Sequence, residues 1–231
     1  VPYTSHNYED IYTQYGESKE NLIESLRDTD ISKYRIKSIR SGDFLECEIY
    51  PIWNTNKKRM GKKNKSREAQ KNLNNKNAVK NIIRLTNVNF TKKDIWVTNG
   101  YGKKHLPRSA EEAYKNMKNF IKRLKRYIAK HNLPELKYIY VTEFEDDPKK
   151  GKIRVHHHII MNFHDRDVAE QIWDKGGRTH ARRLQPDDFG LEGLARYITK
   201  DPKDTKRVCT SRNLKKPSVT FSDTKVTRRK A

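Results

Sequence analysis

Cysteine is scarce in this 231-residue chain: Cys47 and Cys209 are far apart, and neither belongs to a C-x-x-C pair. That excludes a disulfide framework and cysteine zinc-finger spacing, and it fits a reducing compartment. Long apolar runs are missing too. None approaches the roughly 20 residues of a membrane-spanning helix, and no signal-peptide pattern is visible. Neither H-E-x-x-H nor G-x-x-x-x-G-K-[ST] occurs, which argues against a zinc hydrolase and against a built-in helicase motor. Apolar residues make up only 33% of the chain, so the core is modest and much of the sequence is surface or arm. Acids are also short: 29 Asp and Glu face 51 Lys and Arg, a formal charge of +22. A chain this basic is suited to a polyanion.

What the sequence does carry is concentrated in Lys152-Ile153-Arg154-Val155-His156-His157-His158-Ile159-Ile160-Met161-Asn162-Phe163. Strand side chains alternate between two faces. Ile153, Val155, His157, Ile159, Met161 and Phe163 share one face, which is apolar apart from the imidazole. Lys152, Arg154, His156, His158, Ile160 and Asn162 share the other. A one-residue slip would bury the charges, so this register is pinned. His156 and His158 are therefore expected side by side on the solvent face, an arrangement suited to a metal ion. The bland alternative is an accidental histidine run on an exposed strand.

The preceding strand, 137–145, alternates Tyr138, Tyr140, Thr142 and Phe144 against Ile139, Val141, Glu143 and Glu145. The turn signal Asp146-Asp147-Pro148-Lys149-Lys150-Gly151 joins it to the histidine strand. Paired as a hairpin, the two strands bring Glu143 roughly opposite His156. A carboxylate and two imidazoles then meet on one face, with Glu145 as the alternative acid.

The rest divides into an N-terminal extension (1–30), a β-hairpin and basic helical arm (31–93), a core (94–217) and a basic tail (218–231). Ile23, Leu26 and Ile31 suggest one short helix in the extension. In the hairpin, Ser41-Gly42-Asp43 joins two β-type runs. Residues 57–93 hold thirteen Lys and Arg against Glu68 alone, and 66 to about 85 read as a helix. The strongest helix starts at Ser109, with Glu112 completing a capping box. It buries Ala113, Met117, Phe120, Ile121, Leu124 and Ile128 and turns Lys115, Lys118, Lys122, Arg123, Lys125 and Arg126 outward. Asp165 caps a further helix, and 178–184 reads as a basic edge strand containing Arg182 and Arg183. Leu191, Leu194, Ala195 and Ile198 form the apolar side of a last helix. Tyr197 lies on its shoulder, and Lys200 follows one turn later. Beyond residue 200 the chain reads as irregular.

A strand glutamate, a His-x-His strand and a Tyr-x-x-Lys helix thus follow one another on a basic scaffold in the order β-α-β-β-α-β-α. This arrangement resembles the HUH endonucleases. More narrowly, it is similar to the single-tyrosine rolling-circle replication initiators of Gram-positive plasmids, integrated elements and small single-stranded DNA phages. The resemblance spans about 87–217. It rests on Asn89-Phe90-Thr91-Lys92-Lys93-Asp94-Ile95-Trp96-Val97-Thr98, the Lys/Arg helix, Arg154-Val155-His156-His157-His158, Ala195-Arg196-Tyr197-Ile198-Thr199-Lys200 and Ser211-Arg212-Asn213-Leu214-Lys215-Lys216-Pro217. Two departures stand out. His157 occupies the position that is normally bulky and apolar, and Val97-Thr98-Asn99 replaces the usual Thr-hydrophobic-Thr.

The resemblance implies an α+β fold: an antiparallel sheet, helices packed on one face and His-x-His on a central strand. It implies Tyr197 as the nucleophile that cuts single-stranded origin DNA, leaving a 5′-phosphotyrosine and a free 3′-OH, with Lys200 supporting the developing charge. One divalent cation, Mn2+ or Mg2+, is expected on His156, His158 and Glu143 or Glu145. Lys118, Lys122, Arg123, Lys125, Arg126, Arg154, Arg182, Arg183 and Arg196 are expected to grip single-stranded or hairpin DNA. A host helicase and replication machinery are the expected partners, in a bacterial cytoplasm and without a membrane. Relaxases commonly carry the tyrosine ahead of the histidine strand; here it follows, which favours an initiator over a relaxase or transposase. The reading from another class is a non-catalytic nucleic-acid-binding protein whose histidines are structural.

Overall fold

The structure, a computed structural model, describes residues 31–53, 68–143, 155–199 and 208–223. Glu145, Arg154 and Lys200 lie outside the described residues, as does the helix suggested around Ile23 and Leu26. The elements in order are β1 (Ile31–Ser41), β2 (Phe44–Trp53), α1 (Glu68–Asn89), β3 (Ile95–Tyr101), α2 (Ala110–Lys130), β4 (Tyr138–Glu143), β5 (His156–Met161), α3 (Arg166–Ile172), β6 (Gly176–Arg183), α4 (Glu192–Thr199), β7 (Val208–Thr210) and β8 (Ser218–Ser222). This is an α+β chain with antiparallel sheets.

The chain divides into two compact units. Of the described residues, one takes in 31–39, 45–53, 68–74 and 219–223, and the other 40–44, 75–143, 155–199 and 208–218. The first is built on the sheet β2-β1-β8. The expected hairpin is there, turning at Gly42, whose φ of +65° suits glycine. Arg35 closes an ion pair on Asp223 at 2.7 Å, and Lys37 one on Glu48 at 2.9 Å.

The second unit is built on a five-stranded sheet, order β6-β3-β5-β4-β7, so the histidine strand is central. Ile95, Val97, Tyr101, Tyr140, Ile159 and Met161 face α2 and α3. The α2 side of that interface is the stripe read from the sequence, with Met117, Phe120 and Leu124 fully buried. Each such side chain contributes about 1.5–3 kcal/mol of transfer free energy. Ser109 caps α2 by accepting from the Glu112 amide at 3.3 Å, and the Glu112 carboxylate accepts from the Arg108 amide. The helix ends at Lys130, and just beyond it Asn132 adopts φ +51°.

Helical cover also exists on the other face, beyond the one-faced packing expected. There Ile139, Val141 and Ile160 pack with Ile82, Ile83 and Phe90 around α1 and with Leu191, Ala195 and Ile198 of α4. The physical reason is in the two central strands: on the face carrying Glu143, His156 and His158, β4 and β5 also present Ile139, Val141 and Ile160, which need cover. The expectation of an irregular chain after residue 200 is corrected at two places. β7 pairs with β4 (Ile139↔Thr210, Tyr140↔Cys209, Val141↔Val208), and β8 joins β1. No helix among the described residues is long and apolar enough to cross a membrane.

Candidate active site

Strand pairing assembles the site. Glu143 lies directly opposite His156, and Val141 opposite His158. On the other side β3 places Thr98 opposite His158 and Gly100 opposite His156. Residues paired across antiparallel strands point to the same face, so Glu143, His156, His158 and Thr98 converge. The Glu143 carboxylate stands 2.9 Å from His156 Nε2. The two imidazoles meet edge to face at 4.8 Å between centroids. One ligand atom from each of Glu143, His156 and His158 lies within 4.8 Å of the others, so this group can hold a metal ion. Two imidazole nitrogens and a carboxylate, with room for further oxygen ligands, suit a divalent cation. On strands of an antiparallel α+β sheet, the cluster is compatible with an HUH-type fold.

The surroundings fix His158. Its Nδ1 is 3.0 Å from Thr98 Oγ1, a contact that fixes the orientation of the ring. The Trp96 indole stacks on it at 5.2 Å and 10°. Tyr197 meets the imidazole edge-on at 5.3 Å and Trp96 at 5.7 Å. His158 is therefore only 2% exposed, not on an open solvent face as expected from alternation alone, while Tyr197 is 49% exposed. The helix carrying Tyr197 is held at its start by a distant side chain, Asn87 Oδ1, which accepts from the Leu191 amide at 2.8 Å. The adjoining Gly190 has φ +71°, and a Cβ there would lie 2.6 Å from the Phe44 ring.

His157 points the other way, into the core under α2. Its Nε2 is 2.7 Å from Tyr101 Oη and its Nδ1 2.8 Å from Thr142 Oγ1. Burial, aided by neighbouring His156 and His158, pushes its pKa down to about 3, so the ring is neutral. Burial first, and Glu112 after it, pushes the Tyr101 phenol up to about 12. The hydroxyls therefore stay protonated, one donating to the bare ring nitrogen and the other accepting from the ring N–H.

The basic residues are divided between the two faces. α2 presents Lys118, Lys122, Lys125 and Arg126 to solvent from the face opposite the glutamate–histidine cluster. Arg123 on the same helix is engaged internally, donating to the Ile172 carbonyl and pairing with Asp174 at 2.7 Å. On β6, Arg182 is paired with Trp96 and His180 with Thr98, which puts both on the cluster's face. Arg183 is opposite Ile95, on the α2 face, and donates to the Lys93 carbonyl. Arg196 pairs with Glu192 at 2.6 Å beside Tyr197. The sequence reading gave no functional role to Thr98, Asn87 or His180. Alternation along β3 groups Trp96 with Thr98, but only the pairing partner shows which face they join.

Searches of curated proteins and of solved structures return no significant match. Residues 94–204, just under half of the chain, match the family model of the replication-associated protein ORF2/G2P, which supports a role as a replication initiator and implies interaction with DNA.

Proposed function

We propose that the chain is a metal-dependent HUH-type nicking-joining endonuclease that initiates rolling-circle replication by cutting single-stranded origin DNA. The observation that carries this reading is the position of Tyr197: half exposed, in edge contact with His158, above the face where Glu143, His156 and His158 meet. Tyr197 Oη attacks the scissile phosphorus in line. The bond from phosphorus to the 3′-oxygen breaks, the tyrosine proton is passed on to that oxygen, and the products are a 5′-phosphotyrosine and a 3′-OH. Glu143, His156 and His158 would hold Mn2+ or Mg2+, and the bound cation would supply neutralisation of charge on the scissile phosphate. Thr98 and Trp96 fix the His158 ring. Lys200 would support charge from the turn after Tyr197. The phosphotyrosine bond keeps the phosphodiester energy, so attack by a 3′-OH rejoins the strand. Covalent capture tests the reading: with origin-containing single-stranded DNA, a band resistant to denaturation should form with Mn2+ and vanish with chelator. Strong binding with no adduct on DNA from the encoding element would sink it.

The division of basic residues gives a separable prediction. Arg178 and Arg182 lie on the exposed edge strand β6, where Arg182 and the alternate positions share the cluster's face. They are proposed to track the strand being cut, while Lys118, Lys122, Lys125 and Arg126 reach flanking DNA. Arg178→Ala/Arg182→Ala should lower the salt dependence of single-strand binding by about 0.7 in slope per lost phosphate contact, and should slow cleavage. Neutralising the four α2 residues should weaken binding to long DNA and leave cleavage of a short oligonucleotide nearly unchanged. Salt titrations with 12- and 40-nucleotide strands distinguish the two faces; equal losses on the short strand would refute the division.

Asn87→Ala tests how α4 is positioned. Losing the contact to the Leu191 amide should cost about 1 kcal/mol of stability, as for a lost helix cap. A shift of α4 of the order of 1 Å can cost about 10²-fold in rate. Single-turnover cleavage should fall at least tenfold, with Mn2+ and DNA affinities unchanged.

A further inference from the structure

Apolar alternation leaves one ambiguity in how β4 pairs with β5. A slip by one residue would turn Glu143 into the core and is excluded by the face pattern. A slip by two residues preserves both faces. It would put Val141 or Glu145 opposite His156 and carry Glu143 about 7 Å away along the strand. What distinguishes these registers is on the other face. Asn99, His157 and Thr142 form one rung across β3, β5 and β4, between the rung of Gly100, His156 and Glu143 and the rung of Thr98, His158 and Val141. On that rung Thr142 Oγ1 meets His157 Nδ1 at 2.8 Å, and Tyr101 Oη meets Nε2 at 2.7 Å. All three side chains are buried to within 1%. After a two-residue slip, Tyr140 or Phe144 would face His157. Neither carries a hydroxyl at the β-carbon, so the buried imidazole would lose a partner and Thr142 would be stranded with it.

We propose that His157 is a positioning residue: its buried pairing with Thr142 and Tyr101 selects the register that brings Glu143, rather than Glu145, to His156 and His158. The metal-binding part of this inference rests on the proposed function; the register part does not. An apolar residue at 157 would pack as well but could not discriminate the two pairings.

The test replaces the pair together, His157→Leu/Thr142→Val, so that neither position leaves a polar group stranded; the Tyr101 hydroxyl keeps Asn116 as a partner. Three quantities are measured: the melting temperature, the Mn2+ dissociation constant by calorimetry, and the cross-strand NOEs of β4 and β5. The double variant should melt within a few degrees of the parent. It should bind Mn2+ about 10- to 100-fold more weakly, the range for groups that orient ligands. It should also show a second NOE set with residue 141 or 145 opposite His156. His157→Gln, which can both donate and accept, should restore binding to within about threefold. Thr142→Val alone should show the same changes at smaller amplitude, and it decides the matter if the double variant does not fold. A single native NOE set with parental Mn2+ affinity overturns the proposal. If the parent itself binds no Mn2+, the metal-centre reading fails and the NOE pattern alone decides the register.

Discussion

Tyr197→Phe is expected to abolish the covalent DNA adduct and cleavage, a loss of at least about 10³-fold, because it removes the oxygen proposed to attack the phosphate and nothing else of consequence. The ring remains to pack edge-on against His158 and Trp96, so the aromatic cover of the site survives. Tyr197 is half exposed, and its replacement leaves no buried group without a partner. Melting temperature, Mn2+ affinity and single-strand affinity should therefore stay within about twofold or a few degrees of the parent. A denaturing gel beside a filter-binding curve checks both halves. An adduct of parental yield in the variant would remove Tyr197 from the mechanism and send the search to another tyrosine.

The second large effect is expected at the glutamate–histidine cluster. Glu143→Gln keeps size and hydrogen bonding but loses the anionic ligand. It should weaken Mn2+ binding and slow cleavage by more than about 10²-fold. The stability readout is independent of activity. At a Mn2+ concentration of 100 times Kd, the parent should gain about 2.7 kcal/mol relative to its chelated form. Glu143→Gln should gain almost none of this while matching the parent in chelator. His158→Ala should lose the gain as well, and should also melt lower in chelator by about 2 kcal/mol or more. Its ring fills the space under Trp96 and Tyr197, and removing it leaves a cavity. Thermal melts with Mn2+ and with chelator separate the two contributions. A full Mn2+ stabilisation of Glu143→Gln would exclude this carboxylate as a ligand.

Much of this architecture was legible where the signal is local. The α2 stripe and its Ser109 cap follow from spacing within about 20 residues, and they stand in the structure as read. The His156–Glu143 pairing was legible because a short turn joins the two strands and alternation gives the faces. Long-range pairings left no such trace. Val208-Cys209-Thr210 is too short to announce a strand, and it becomes one because β4 offers an open edge. The second helical layer was missed for a related reason. Ile139, Val141 and Ile160 share their face with the polar site residues, and their partners Ile82 and Ile83 lie far away in sequence. The stacking of Trp96 on His158 is set by β3–β5 pairing and not by its neighbours in the chain.

The attachment of α4 has a mechanical consequence. In the proposed adduct the cut strand is bonded to a side chain of this eight-residue helix, and any motor unwinding the duplex pulls on it. Upstream, the helix is tied to α1 through Asn87 and Leu191. Downstream, the chain re-enters the sheet as β7, zipped onto β4, the strand that carries Glu143. A pull on this helix is therefore borne at its start by the contact to α1. β7 itself is paired along β4, so the returning chain and Glu143 share one pair of strands, and the chain's anchor and the candidate carboxylate stand or fall together.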